Sequence, residues 1–177
     1  MPLFLDASAL AKRYLPEGIS SQTVKEVVSR SSEWGGSVVS AIIRPEVVSA
    51  VAAKVRGNSL PVQRRAALTR MPAVVAAFHR EYGNQTFRIL PVTEVILDDA
   101  ARLIAAKPTL NIGAADAIHL ATAIEVRDRL AEGESLVFVT ADRGLAEAAE
   151  GEDFPVFDPL YHRTDRLDEI RGLRPAR

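Results

Sequence analysis

Four acidic residues, widely spaced along the chain, carry the clearest chemical signal in this sequence: Asp6, Glu46, Asp116 and Asp142. Asp6 and Asp142 each follow directly on an apolar, strand-like run, whereas Glu46 and Asp116 sit near the starts of helix-like segments, so a fold that gathers strand ends and helix starts brings all four together. Carboxylates gathered in that way repel one another, and a cation is what makes such a cluster tenable. Oxygen donors alone favour Mg²⁺ or Mn²⁺ over zinc. An ion of that kind lowers the pKa of a bound water and offsets charge growing on a phosphate, which makes phosphodiester hydrolysis the natural chemistry.

Each acid also has a plainer reading. Asp6 and Asp116 suit helix N-caps, Glu46 suits the first turn of a helix, and Asp142-Arg143-Gly144 suits a turn. His119, three residues after Asp116, reads as a packed or hydrogen-bonded structural histidine and stays outside the metal set. Ser8 has no nucleophile elbow around it, so its hydroxyl reads as a cap or a support for the site and not as an attacking group. The chain has no cysteine, which removes disulfides, thiolate zinc sites and a cysteine nucleophile together.

The elements that must position these acids alternate. Leu3-Phe4-Leu5 predicts a strand, Ser8 to Leu15 a helix broken by Pro16-Glu17-Gly18, and Ser20 to Ser31 an amphipathic helix with Val24, Val27 and Val28 on one face. Ser37 to Ser40 predicts a second strand after Gly35-Gly36, and Pro45 suits the first turn of a helix that runs towards Arg56 and ends at Gly57-Asn58. Val62 to Tyr82 is helical, with Pro72 marking either a kink or a break into two helices.

Arg88 to Val92 predicts a third strand. Thr93 then opens a capping pattern for a helix over Val95 to Ala106, with Ile96, Ala100, Leu103 and Ile104 on one face and Asp98 and Asp99 towards water. Ala114 to Leu130 is helical, Ser135 to Val139 is a buried-type strand, Leu145 to Glu150 a short helix, and Pro155 to Phe157 a last strand. From Tyr161 the chain is charged and is expected to be loosely held. Strands alternating with helices predict a three-layer α/β/α fold around a mainly parallel sheet, with residues 1–158 as one domain and 159–177 as a charged tail.

Composition narrows the function classes. Hydrophobic residues at 47% and charged residues at 25% are enough to build a core in one domain of this length. A formal net charge of −1 argues against coating nucleic acid by bulk electrostatics, while leaving room for a local basic face. The N-terminus reaches Asp6 too soon for a signal-peptide core, and no apolar run is long enough to span a bilayer, so a cytoplasmic protein with no membrane partner is expected.

The stretch Phe4-Leu5-Asp6-Ala7-Ser8-Ala9-Leu10-Ala11-Lys12-Arg13-Tyr14-Leu15-Pro16-Glu17 resembles the opening of VapC-type PIN domains. Three further blocks resemble that family in order: Arg44-Pro45-Glu46-Val47-Val48-Ser49-Ala50, Ala115 to Ala123 around Asp116, and Phe138 to Leu145 around Asp142. The resemblance spans roughly residues 3–158, and the ordered set is far more specific than any one block. It implies a PIN-like nuclease domain in which Asp6, Glu46, Asp116 and Asp142 bind Mg²⁺ or Mn²⁺, with Ser8 and Thr140 as supporting hydroxyls.

It implies further an endoribonuclease toxin that stops translation by cutting tRNA or rRNA. The same likeness implies a homodimer and a VapB-like antitoxin that wraps the protein and offers a basic side chain to the acidic pocket. Lys12, Arg13, Arg64 and Arg65, with Arg70 and Arg80, are the candidates to line an RNA path. Gly113-Ala114-Ala115, just before Asp116, departs from the family, where a basic residue is common. Alternatives are a PIN-like nuclease of RNA processing or DNA repair, and a non-catalytic PIN-like binding module. A dehalogenase-type phosphatase would need a second acid at position 8, which is Ser, and a phospho-accepting receiver domain would need an acidic pair after the first strand.

Overall fold

The computed structural model of this chain describes residues 1–15, 18–57, 60–106 and 112–172. Pro16, Glu17 and Asn58, expected to end helices, lie outside the described residues, as does the last part of the tail, 173–177. Five strands, β1 (Leu3–Leu5), β2 (Ser37–Ser40), β3 (Arg88–Leu90), β4 (Val137–Val139) and β5 (Val156–Phe157), form one sheet in the order β3-β2-β1-β4-β5, and every neighbouring pair is parallel. Among the described residues eight α-helices accompany them: α1 (Ala7–Tyr14), α2 (Ile19–Ser29), α3 (Ile43–Gly57), α4 (Pro61–Gly83), α5 (Glu94–Ala106), α6 (Ala114–Asp128), α7 (Arg143–Glu150) and α8 (Asp165–Gly172). A 3-10 turn, Ser31–Trp34, links α2 to β2.

The three layers follow from the two-residue period of the strands. Leu3, Leu5, Val39, Val137 and Val139 pack on one face with Leu10 of α1, Val24 and Val27 of α2 and Val47 of α3. Phe4, Val38 and Phe138 point the other way, onto Leu120 of α6 and Leu145 of α7. A strand buried on both faces reads as a continuous apolar run, which is why β1 and β4 were legible as strands. α5 and α6 meet through Ile96, Ala100, Ala117 and Ala121, and the three alanines let the two helices approach closely.

Several expectations shift in detail. The β3 pairing stops at Leu90, because Pro91 has no N–H to continue a ladder. The helix over Val62 to Tyr82 is one continuous element, with Pro72 inside it on an exposed stretch where water can reach the carbonyl that loses its donor. Ile104, expected on the inner face of α5, is 38% exposed, whereas Ile96 and Ala100 are buried. Asp98 faces water as expected.

The segment after Tyr161, expected to be loosely held, is the clearest correction. It folds into α8, and Leu167 is 0% exposed within the core that β1 and α2 share. Trp34 Nε1 donates to Asp168 Oδ1 at 2.9 Å, and Thr164 donates to Glu26 at 2.8 Å. These partners come from the 3-10 turn and α2, and they dock the segment on the domain. No helix among the described residues is long and apolar enough to cross a membrane.

Candidate metal centre

β1 and β4 are central neighbours in register, so the residues that follow them emerge side by side. The Asp6 N–H donates to the Val139 carbonyl at 3.1 Å, which carries the ladder one step past the end of β1. Asp6 is 2% exposed, Glu46 and Asp116 are half-buried, and Asp142 is exposed, so the acids grade from the floor of the site to its rim.

Asp6 is held from three sides. Its Oδ1 accepts from the Ala9 N–H at 2.9 Å and from the Ser8 hydroxyl at 3.0 Å, and its Oδ2 accepts from the Thr140 hydroxyl at 3.1 Å. The same hydroxyls accept backbone donors in turn, Ser8 from Ala141 N at 2.9 Å and Thr140 from Asp142 N at 3.0 Å. Hydrogen bonds therefore run in one direction, from backbone N–H to hydroxyl to carboxylate, and lock the β1–α1 turn to the β4–α7 turn. Burial pushes the Asp6 carboxyl above its ordinary value, and His119, the Ala9 N–H and Ser8 oppose that rise.

The plainer reading of each acid proves true of one oxygen only. Asp6 Oδ1 caps α1, Asp142 Oδ1 caps α7 by accepting from Leu145 N at 2.9 Å, and Asp116 Oδ2 accepts from Gly113 N at 2.9 Å at the start of α6. Glu46 Oε2 lies 2.5 Å from His119 Nε2. Asp142 Oδ2, Asp116 Oδ1 and Glu46 Oε1 have no protein donor among the described residues. For Asp116 and Asp142 the bond at the helix start fixes one oxygen and leaves the second for other work, whereas both oxygens of Asp6 are taken.

Electrostatics ties the acids from different elements together. The Asp116 carboxyl is pushed above its ordinary value by burial, with the Gly113 N–H opposing and the charges of Asp142 and Glu46 adding to the rise. Carboxylates are oxygen donors of the kind a hard divalent cation takes. Among the described residues, however, no three His, Asp or Glu side chains are set as a ready-made ligand shell. Both oxygens of Asp6 already accept protein hydrogen bonds.

His119 and Ser40 are the residues that sequence reasoning left out of the site. His119 is 1% exposed on α6, with Nε2 on Glu46 and Nδ1 2.8 Å from the hydroxyl of Ser40 at the end of β2. The chain Ser40–His119–Glu46 has the membership of a hydrolase triad, but Ser40 is 0% exposed, so no substrate reaches its hydroxyl and a nucleophilic role fails.

The basic candidates fare differently. The Arg13 guanidinium clasps Glu81 at 2.7 and 2.8 Å and donates to the Lys25 carbonyl at 3.1 Å, and its side chain is 17% exposed. Lys12 is half-buried on α1. Arg64 and Arg65 are exposed on α4, which packs on α3. Near them an apolar groove of about 290 Å³, lined by Val51 and Val55 of α3 and Ala67, Met71 and Val74 of α4, has no acids on its walls. Val55 lies nine residues beyond Glu46, about 13 Å along α3, so this groove is separate from the acidic site.

The fold is a wholly parallel α/β domain in which Asp6 follows the end of β1 and Asp142 lies between β4 and α7. Residues 3–151 match the model of the PIN domain family, and the chain belongs to that family. PIN domains are generally nucleases, hydrolases that act on nucleic acids. Among solved structures the chain is similar to FitAcB from Neisseria gonorrhoeae, with 22% identity, a TM-score of 0.55, and coverage of 90% of this chain and 99% of that one. It is similar also to PAE2754 from Pyrobaculum aerophilum, with 17% identity, a TM-score of 0.57, and coverage of 97% and 98%. A toxin–antitoxin complex from Klebsiella pneumoniae matches at 21% identity and a TM-score of 0.49, covering 90% of this chain and 98% of that one. No curated protein matches the chain in sequence.

Proposed function

We propose that this chain is a divalent-metal-dependent endoribonuclease and the toxin of a VapBC-type pair. The observation that carries the nuclease reading is the match of residues 3–151 to the PIN domain family, with Asp6 buried at the end of β1 and held by Ser8 and Thr140. Asp6, Glu46, Asp116 and Asp142 would hold Mg²⁺ or Mn²⁺, directly or through waters, and the ion would supply an activated water and charge compensation at the scissile phosphate. The protein's own part is positioning. Ser8 and Thr140 fix Asp6, the Gly113 N–H fixes Asp116, the Leu145 N–H fixes Asp142, and His119 fixes Glu46. Water adds to phosphorus and a ribose oxygen leaves.

The toxin assignment rests on the four ordered blocks that resemble VapC-type domains. With it come tRNA or rRNA as target, a VapB-like antitoxin as silencer and a homodimer as the working form. Lys12, Arg13, Arg64 and Arg65 remain the candidates for an RNA path.

The test is cleavage by purified protein of total RNA and of single-stranded DNA of matched length, with Mg²⁺ or Mn²⁺ and with the Asp6→Asn variant alongside. Discrete RNA fragments that need the metal and vanish in the variant are expected. Cleavage of DNA alone would favour the repair reading, and cleavage of neither would favour a binding module.

A further inference from the structure

We infer that His119, seated by Ser40, is a positioning residue that sets the Glu46 carboxylate. This rests on the reading of the four acids as one metal site.

Glutamate reaches a shared site on three rotatable bonds, and a half-buried glutamate with no anchor samples several rotamers. Glu46 is anchored: its Oε2 lies 2.5 Å from His119 Nε2. An ionised carboxylate only accepts, so Nε2 carries the proton. Nδ1, on the other side of the ring, lies 2.8 Å from the Ser40 hydroxyl, a group that can either donate or accept. The ring is held from a third side by Phe4, whose ring meets it nearly edge-on at 6.2 Å between centroids.

The three contacts come from different elements. Phe4 lies on β1 two residues before Asp6, Ser40 ends β2, Glu46 opens α3, and His119 follows Asp116 on α6 by three residues. One buried ring therefore relates the elements that carry Asp6, Glu46 and Asp116, and leaves Glu46 Oε1 for the acidic space. Partners that orient a ligand in this way are worth about 10–100-fold in metal affinity.

The variants separate packing from hydrogen bonding. His119→Gln puts an amide donor near the Nε2 position and so keeps the bond to Glu46. His119→Asn reaches only as far as Nδ1 and loses it. Mn²⁺ affinity, read by electron paramagnetic resonance on the full chain, should fall about 10–100-fold in His119→Asn and be restored to within about threefold in His119→Gln. Ser40→Ala, which leaves the ring in place without its seat, should show a smaller fall.

A second readout needs no variant to be well folded. A long-range ¹H–¹⁵N spectrum of the wild-type histidines should show His119 protonated at Nε2, and an Nδ1-protonated neutral ring would overturn the proposal. Equal Mn²⁺ affinity in wild type and His119→Asn would overturn it while leaving the acidic site intact. Absence of Mn²⁺ binding by the wild type would overturn the metal-site reading and this inference with it.

Discussion

Replacing Asp6 with Asn separates the two duties of that side chain. The amide oxygen keeps the bonds from Ala9 N at 2.9 Å and Ser8 at 3.0 Å, and Asn caps helices about as well as Asp. The amide nitrogen then faces Thr140, whose hydroxyl proton can turn to Ser8 Oγ, 3.2 Å away, so no polar group is orphaned. The hydrogen-bond cost is under about 1 kcal/mol. Against it, the variant is spared the burial of a charge that pushes the Asp6 carboxyl up in the folded protein. Without metal, the variant should therefore melt no more than about 4 °C below wild type, since 1 kcal/mol is worth about 2–4 °C in a chain of this size.

Added Mn²⁺ reverses the balance. At a hundred times its dissociation constant an ion that binds only the folded state adds about 2.7 kcal/mol, or about 5–10 °C, and the variant should show less than half of that rise. Differential scanning calorimetry with and without Mn²⁺ reads both effects. A metal-free variant that melts more than about 8 °C below wild type would make Asp6 a structural residue foremost. Identical Mn²⁺ shifts in the two proteins would remove it from the site.

Thr140→Val strands the Asp142 N–H and Asp6 Oδ2 together, so it should cost about 1–3 kcal/mol in denaturant titration, and an unchanged midpoint would contradict the relay. Burial raises the Glu81 carboxyl, but the hydrogen bonds from Arg13 and Tyr14 outweigh it and hold it below the ordinary 4.5, so its stabilisation is complete above that value and is lost as pH falls through the lowered folded value. Glu81→Gln should lower stability by about 1 kcal/mol at pH 7, after allowance for partial exposure, and the gap to wild type should close in acid; a gap that widens in acid would reverse the assignment. Leu167→Ala should cost about 2–5 kcal/mol if α8 belongs to the core, whereas a loosely held tail would show no change.

What was legible in the sequence was what neighbouring residues determine. The apolar runs of β1, followed at once by Asp6, and of β4, followed three residues on by Asp142, marked where those acids would emerge, and Pro45 placed Glu46 in an opening helical turn. What was not legible depended on distant partners. The histidine at 119 reads as packing until Glu46, 73 residues away, lies beside it. Arg13 reads as a surface cation until Glu81, 68 residues away, clasps it. Within α8 only Leu167 and Ile170 are apolar, so its period is faint, and the Trp34 indole that accepts its docking lies 134 residues earlier.

The claim on which all else rests is that Asp6, Glu46, Asp116 and Asp142 form one divalent-metal site. Anomalous diffraction from crystals grown with Mn²⁺ tests it most directly. The account predicts a manganese peak within ligand or water-bridged reach of these four carboxylates, with Glu46 still on His119. Manganese bound elsewhere on the protein, or none at millimolar concentration, would contradict it.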